Sequence, residues 1–180
     1  MGSTHPFDTP TAEQLTLESP WCIVARSNKR VGIAKSKSLY GPWTRLDEPI
    51  LKTKPNTFYS FLTSNPSPIV EEDGSVTMIF KGREYIGNDK YSDMALGIAK
   101  AGAMAHSKDA IRWTVDKDAQ AYSKTVEWED GTVTTQGQLE RPFILFENDK
   151  PAYIFFATMD GPGGFDNATR SWNMVIPIAK

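Results

Sequence analysis

Cysteine is almost absent from this chain of 180 residues, in which Cys22 stands alone. A lone cysteine cannot form an internal disulfide, and Cys22 lies in the apolar run 21–25, where we expect a small buried side chain. Long hydrophobic runs are lacking too, since those such as 153–157 have only the length of a strand and a membrane span needs about 20 apolar residues. The sequence therefore predicts neither a disulfide framework nor a membrane partner.

An excess of charge of one sign is also lacking, because 20 basic and 22 acidic residues leave a formal net charge of -2. The basic residues are scattered, whereas nucleic-acid binding depends on clustered Lys and Arg, so nucleic acid is not expected as a partner. The first ten residues carry neither the charged nor the apolar region of a signal peptide. The composition is that of one globular domain.

The chain does contain a succession of short β-rich runs separated by Gly, Pro, Asn and Asp, without helical periodicity. This pattern predicts an all-β fold. The predicted strands are 21–25, 31–35, 67–70, 76–81, 95–100, 143–147, 152–158 and 174–177. The predicted turns between them are 27–29, 72–74, 129–131 and 148–150.

These predicted strands recur as sets. The run 31–35, Val-Gly-Ile-Ala-Lys, returns as Leu-Gly-Ile-Ala-Lys at 96–100, and each copy precedes a Trp-Thr pair, at 43–44 and 113–114. A second element, a strand after a proline followed by a turn and an apolar strand, begins at Pro68 and again at Pro142. Four antiparallel strands in a unit of about 70 residues are typical of a β-propeller blade.

Propellers close with about four or more blades, and this chain would supply two and a half to three of them. We therefore expect residues 1–180 to form one partial propeller domain, with further blades before Met1. A homodimer in which two halves complete one ring is an alternative.

Three stretches resemble the five-bladed propellers of glycoside hydrolase family 43 and the related family 117, in their C-terminal portion. They are the run 30–43 ending in Gly-Pro-Trp, the Asn-Pro-Ser-Pro opening of 64–70, and the Leu-Glu-Arg-Pro-Phe-Ile-Leu run 139–145. The resemblance implies a glycoside hydrolase acting on plant or algal poly- or oligosaccharides at a pocket on the propeller axis. It also implies an extracellular or periplasmic location. A glycan-binding propeller without catalysis is the main alternative.

Glu140 is the predicted catalytic residue, because it precedes the predicted strand 143–147 at the mouth of a blade. The resemblance implies an acid or a pKa-tuning carboxylate there, since glycoside cleavage needs two carboxyls in different environments. Arg141 could hold Glu140 ionised or bind a substrate carboxylate. The alternative is a Glu-Arg pair on the surface. The base Asp of the family would lie in blades before Met1.

Further residues are predicted to bind substrate. Asn65 could hydrogen-bond sugar hydroxyls, or act as a turn residue before Pro66. Trp172 could stack on a sugar ring, or pack between blades. His5 could transfer a proton or bind a central cation, or be an ordinary loop residue.

Three charged residues complete the candidates, with Lys81 and Arg83 at the end of the predicted strand 76–81 and Asp93 at the opening of the next predicted strand. Lys81, Arg83 and Asp93 could line the pocket, with a solvated loop as the favoured alternative. No cofactor is expected, although a central structural cation such as calcium fits the fold class. The Asp- and Gly-rich run 160–166 lacks the spacing of an EF-hand loop and predicts a rim loop.

Overall fold

The computed structural model describes residues 29–87, 90–92, 100–161 and 168–178. These residues form an all-β structure of several small sheets, and they include no helix of the length and hydrophobicity that a membrane span requires. The strands are β1 (Ala34–Lys35), β2 (Thr44–Arg45), β3 (Leu62–Val70), β4 (Val76–Gly87), β5 (Lys90–Ser92), β6 (Lys100–Ser107), β7 (Thr114–Ser123), β8 (Thr125–Glu127), β9 (Val133–Thr135), β10 (Gln138–Glu147), β11 (Lys150–Met159) and β12 (Ser171–Pro177).

The chain divides into two compact units. The first comprises Met1–Ser64 and Gly82–Leu96, and the second comprises Asn65–Lys81 and Gly97–Lys180. Strands β3 and β4 each cross the boundary between the units. The predicted strand 21–25 with Cys22, most of the predicted strand 95–100 and the start of the predicted turn 27–29 lie outside the described residues.

In the first unit, the predicted strand 31–35 is shorter than expected. Ala34 and Lys35 pair with Arg45 and Thr44, which makes β1 and β2 an antiparallel ladder of two residues each. Val31 instead forms an isolated bridge with Leu51. The ladder is interrupted because the residues between Arg45 and Leu51 leave the strand conformation.

The second unit contains two larger antiparallel arrangements. One has the strand order β3-β4-β6-β7, in which β4 pairs with β6 from Val76 opposite Ser107 to Phe80 opposite Ala103. The other has the order β10-β11-β12. A small hairpin of β8 and β9 completes the unit.

The core of the second unit packs between these strands. Its buried side chains come from β4, β8, β10, β11 and β12, and they are Ile79, Val126, Leu139, Ile144, Ile154, Phe156 and Met174. Buried residues alternate with more exposed ones from Arg141 to Leu145 in β10 and from Ile154 to Thr158 in β11, as expected for strands with one face on a core. Phe143 and Phe155, on the opposite face, pair across the strands with ring centroids 6.4 Å apart.

Three predicted turns are confirmed, and two share one design. In the turns at 72–74 and 129–131, an Asp accepts hydrogen bonds from the backbone N–H and the hydroxyl two residues further on. Asp73 does so with Ser75, and Asp130 with Thr132, at 2.6–2.9 Å. The pKa of each carboxyl is lowered mainly by the hydrogen bond from the hydroxyl and further by the hydrogen bond from the backbone N–H.

The third turn joins β10 and β11 through Asn148 and Asp149 alone, since Glu147 already pairs with Lys150. Both turn residues have positive φ, 52° and 61°. A two-residue hairpin of this kind needs positive φ at both positions, and Asn and Asp tolerate it better than most residues.

Strand β10 contains a bulge that we call the Arg141 bulge, formed by Arg141 and Pro142. Glu140 lies opposite Ala157 and Phe143 lies opposite Phe155, so β10 advances by three residues where β11 advances by two. One extra residue is therefore accommodated in β10, as in other β-bulges.

Candidate functional site

Glu140 lies in the buried first half of β10. Gln138, Leu139 and Glu140 are all nearly inaccessible to solvent. The strand begins there because Gly137 fits closely against the end of β11. Its N–H donates to the carbonyl of Met159 at 2.8 Å, and a Cβ on Gly137 would lie 2.5 Å from the carbonyl oxygen of Asp160. A larger residue at 137 would push the two strands apart.

Both carboxylate oxygens of Glu140 have partners from other strands. The amide Nδ2 of Asn65, in β3, donates to Oε2 at 2.7 Å, and the ammonium of Lys81, in β4, forms an ion pair with Oε1. Lys81 and Glu140 are almost fully buried, with side chains 6% and 8% exposed. Three strands thus hold one carboxyl group, with β10 carrying it and β3 and β4 supplying its partners.

This geometry corrects two expectations from the sequence. Lys81 does not lie in a solvated loop, because β4 continues to Gly87 and carries Lys81 within it. The alternative of a surface Glu140-Arg141 pair is also wrong, since Glu140 is buried and its cation is Lys81. Successive residues of a strand point to opposite faces, so adjacent Glu and Arg seldom pair there.

Hydrogen bonds around the start of β10 fix its position. Thr158 Oγ1 donates to the carbonyl of Gln138 at 2.8 Å, and Lys81 Nζ donates to Gln138 Oε1 at 3.3 Å. The buried Lys124 contributes a longer contact, from Nζ to the carbonyl of Gly137 at 3.4 Å. Buried polar groups need such partners, because an unsatisfied one costs stability.

Tyr122 packs beside this cluster. Its ring lies 4.6 Å from that of Phe156, its hydroxyl donates to the carbonyl of Leu139 at 3.4 Å, and a Cβ on Gly102 would overlap it at 2.1 Å. Burial raises the pKa of the Tyr122 phenol, and the negative charge of Glu140 raises it further. The phenol is therefore a hydrogen-bond donor at neutral pH.

A cavity of about 390 Å³, which we call the Glu140 pocket, lies at this end of the β10-β11-β12 sheet. Its lining residues occupy three adjacent cross-strand rows. They are Glu140, Arg141, Ala157, Thr158, Met159, Ser171, Trp172 and Asn173. The lining thus combines a carboxylate, a guanidinium, an amide, two hydroxyls and an indole, which are groups able to bind a polyhydroxylated ligand.

Arg141 enters the pocket lining from an unusual backbone conformation. Its φ is +53°, and it directly precedes Pro142. Asn65, before Pro66, has the same conformation, with φ +52°. Left-handed conformations are uncommon for residues other than glycine, and proline further restricts the residue before it. Each candidate residue thus sits at a point where the backbone is strained.

The structure therefore brings together four of the predicted site residues. Glu140, Arg141 and Trp172 line one pocket, and Asn65 is hydrogen-bonded to the carboxylate of Glu140. Arg83 belongs to the first unit, where it is buried in β4 and its carbonyl accepts from the N–H of Phe61 at 2.8 Å. The expectation of a solvated loop at Arg83 is wrong.

Two predicted residues, His5 and Asp93, lie outside the described residues, as does most of the run 160–166. Asp160 itself is described, and its carboxylate accepts from the backbone N–H groups of Arg170 and Thr169 and from both side chains. These bonds, led by that from the N–H of Arg170, hold the pKa of Asp160 well below its usual range. Within the described part of the chain, no cluster of three His, Cys, Asp or Glu residues is arranged to hold a metal ion.

Several pocket residues gave no signal in the sequence. Thr158, Ser171 and Asn173 are ordinary polar residues near strand ends, and they become neighbours only when β11 pairs with β12. Lys81 was detectable as a charged residue in an apolar strand, which indicates a buried partner when the strand is central.

Comparison of the chain with protein-family models, curated proteins and solved structures finds no match.

Proposed function

We propose that the Glu140 pocket binds carbohydrate and that the chain is part of a propeller-type glycoside hydrolase acting on plant or algal saccharides. The observation that carries this proposal is a buried carboxylate, held by Lys81 and Asn65, in a pocket that also exposes an indole and a guanidinium. Sugar recognition combines stacking of the ring's apolar face on an aromatic side chain with hydrogen bonds to its hydroxyls.

In this proposal each side chain has a distinct task. Trp172 provides the aromatic surface, and the carboxylate of Glu140 accepts hydrogen bonds from sugar hydroxyls with the lone pairs left over by Asn65 and Lys81. Because Glu140 is engaged with Lys81 and Asn65, its task in this proposal is to orient substrate rather than to donate a proton. A general acid and a base or nucleophile would come from other carboxyl groups.

The proposed propeller architecture has two kinds of support. The path β3-β4-β6-β7 within the five-stranded sheet is compatible with the four antiparallel strands that the proposal expects in a blade. Strands β3 and β10 also share an internal feature, a left-handed residue followed by proline at 65–66 and at 141–142. This shared feature supports the interpretation that the two hairpins are copies of one repeated unit.

A second function, glycan binding without cleavage, is favoured by the charge of the pocket. Among its described lining residues, Glu140 is the only carboxylate. Canonical glycoside hydrolysis uses two, so the lining by itself suits recognition better than cleavage.

The test is to measure binding of the chain to soluble arabinan, xylan and agarose by affinity electrophoresis, and its hydrolysis of 4-nitrophenyl arabinofuranoside and xyloside. We expect Trp172→Ala to weaken retention by about tenfold, as expected for loss of a stacking contact. Trp128→Ala is a matched control, because Trp128 is 40% exposed, against 39% for Trp172, and lies outside the pocket.

The outcomes separate the two functions. Binding with hydrolysis that Glu140→Gln reduces supports the hydrolase, and binding without hydrolysis supports the glycan-binding module. Absence of binding to these three polysaccharides and to every other saccharide tested, or equal losses in the two tryptophan variants, would overturn the proposal.

A further inference from the structure

Of the charged side chains in and beside the Glu140 pocket, Glu140 and Asp160 have ion-pair partners, whereas Arg141 has none among the described residues. Glu140 is paired with Lys81, and Asp160, which directly follows the lining residue Met159, is paired with Arg170 at 3.2 Å. Arg141 also lines the pocket and is exposed, yet no described residue forms a salt bridge or hydrogen bond with its guanidinium. The pocket therefore presents one positive charge that the described part of the protein leaves unpaired.

Arg141 contributes to the pocket lining from a backbone conformation that is energetically unfavourable for a residue other than glycine. Arg141 is the extra residue of the bulge in β10, with φ +53° immediately before Pro142. Bulges are known to re-aim a side chain, and strained non-glycine residues concentrate at functional sites.

We propose that the Glu140 pocket selects an anionic saccharide, whose carboxylate or sulfate ester is bound by Arg141. This inference rests on the proposed carbohydrate function and narrows it to acidic sugars. The planar guanidinium can donate two parallel hydrogen bonds to the two oxygens of such a group. Trp172 and Asn173 lie in the same lining, and they would contact the rest of the ring.

The charge balance argues against the alternatives. A cationic ligand would face Arg141, and the one carboxylate of the described lining is already neutralised by Lys81. The hydroxyls of a neutral sugar could accept hydrogen bonds from the guanidinium but would not match its charge, whereas a carboxylate or sulfate does both.

The experiment compares four ligands that share one ring: galactose, galacturonate, galacturonate methyl ester and galactose 6-sulfate. Their affinities for the unmodified chain are measured by ligand-observed NMR at low ionic strength. We expect galacturonate or the 6-sulfate to bind about tenfold or more tighter than galactose and the methyl ester, because charge-assisted hydrogen bonds are the strong ones. Preference for the carboxylate or for the sulfate identifies which anion is recognised.

Two variants and a control connect this preference to Arg141. Arg141→Gln should remove this preference, and Arg141→Lys should retain part of it. Arg112→Gln should have no effect, because Arg112 is an exposed arginine of the same unit paired with Asp109 outside the pocket.

Equal affinity for all four ligands, or an anion preference that survives in Arg141→Gln, would overturn the inference but leave the carbohydrate function in place. If none of these sugars binds and none of the three polysaccharides does, both proposals fail together.

Discussion

The Lys81-Glu140 ion pair makes a strong prediction about stability. The two side chains are 6% and 8% exposed, so replacing either one leaves the other charge buried without its counter-charge. Removing one partner of a buried pair typically costs about 3–5 kcal/mol. A domain of this kind has a total stability of about 5–15 kcal/mol, so either single change should be easily measured.

The perturbations are Lys81→Met, Glu140→Gln and the double variant. In Glu140→Gln the ammonium of Lys81 keeps Gln138 Oε1 at 3.3 Å but faces a neutral amide. In Lys81→Met the carboxylate keeps only the Asn65 amide of its two described partners. The double variant buries no charge at this point, and we expect it to be more stable than the sum of the single changes implies by about 2 kcal/mol or more.

Urea unfolding followed by tryptophan fluorescence and far-UV circular dichroism gives the four free energies of unfolding, with equal m-values as the check for comparable transitions. The pair Glu48 and Lys52 is a control with similar contact geometry but exposed side chains, at 2.6 Å. Its corresponding cycle should show no measurable coupling. If the costs of Lys81→Met and Glu140→Gln are additive within error, the two charges do not depend on one another and the described site is wrong.

Three further predictions concern Gly102, Tyr122 and Asp160. Gly102→Ala should lower the free energy of unfolding by about 1–3 kcal/mol, because the new methyl group would overlap the Tyr122 ring at 2.1 Å. Gly32→Ala, where the space is open, should change it by less than about 0.5 kcal/mol in thermal melts, and similar effects of the two would contradict the packing. Stability should fall as pH rises above 10.0, the ordinary pKa of tyrosine, because the unfolded phenol loses its proton there while that of folded Tyr122 is retained. In Tyr122→Phe the free energy of unfolding should fall less steeply as pH rises through this range. An unchanged pH profile would show that other titratable groups cause the decline. Asp160→Ala should speed hydrogen exchange of the Thr169 and Arg170 amides, because both amides donate to the Asp160 carboxylate at 2.8 Å. Unchanged exchange rates would show that these two hydrogen bonds do not protect the amides.

The all-β fold could be predicted from the sequence because apolar runs and turn residues are local signals. The turns at 72–74, 129–131 and 148–150 are short, and their Asp, Asn and Gly residues adopt the positive φ or the side-chain hydrogen bonds for which those residue types are suited. The strands β10 and β11 carry the alternation of buried and exposed residues that their sequence indicates.

Strand β6 was missed, except for its first residue, because its sequence carries little pattern. Strand β6 reads Lys-Ala-Gly-Ala-Met-Ala-His-Ser, and small residues such as alanine do not distinguish strand from other structure. Strand β6 is a strand because it pairs with β4 on one side and with β7 on the other. This pairing joins residues that are distant in sequence, so a local sequence pattern does not reveal it.

The candidate site was predictable only in part. Position before a predicted apolar strand pointed to Glu140, adjacency to Glu140 pointed to Arg141, and position before Pro66 pointed to Asn65. The partner of Glu140 could not be inferred, because Lys81 is 59 residues away in sequence and reaches Glu140 only through the packing of β4 on β10. The pocket itself depends on the register of β12 against β11.

The Arg141 bulge also acts as a phase shift in the alternation of β10. Because one extra residue is inserted there, Glu140 and Phe143 face the same side of the sheet although one has an even number and the other an odd one. Removing either Arg141 or Pro142 would set two residues of β10 against two of β11, so Glu140 would still lie opposite Ala157 and on the face that carries Phe143. The bulge thus adds one residue to the pocket lining without changing the face on which Glu140 lies.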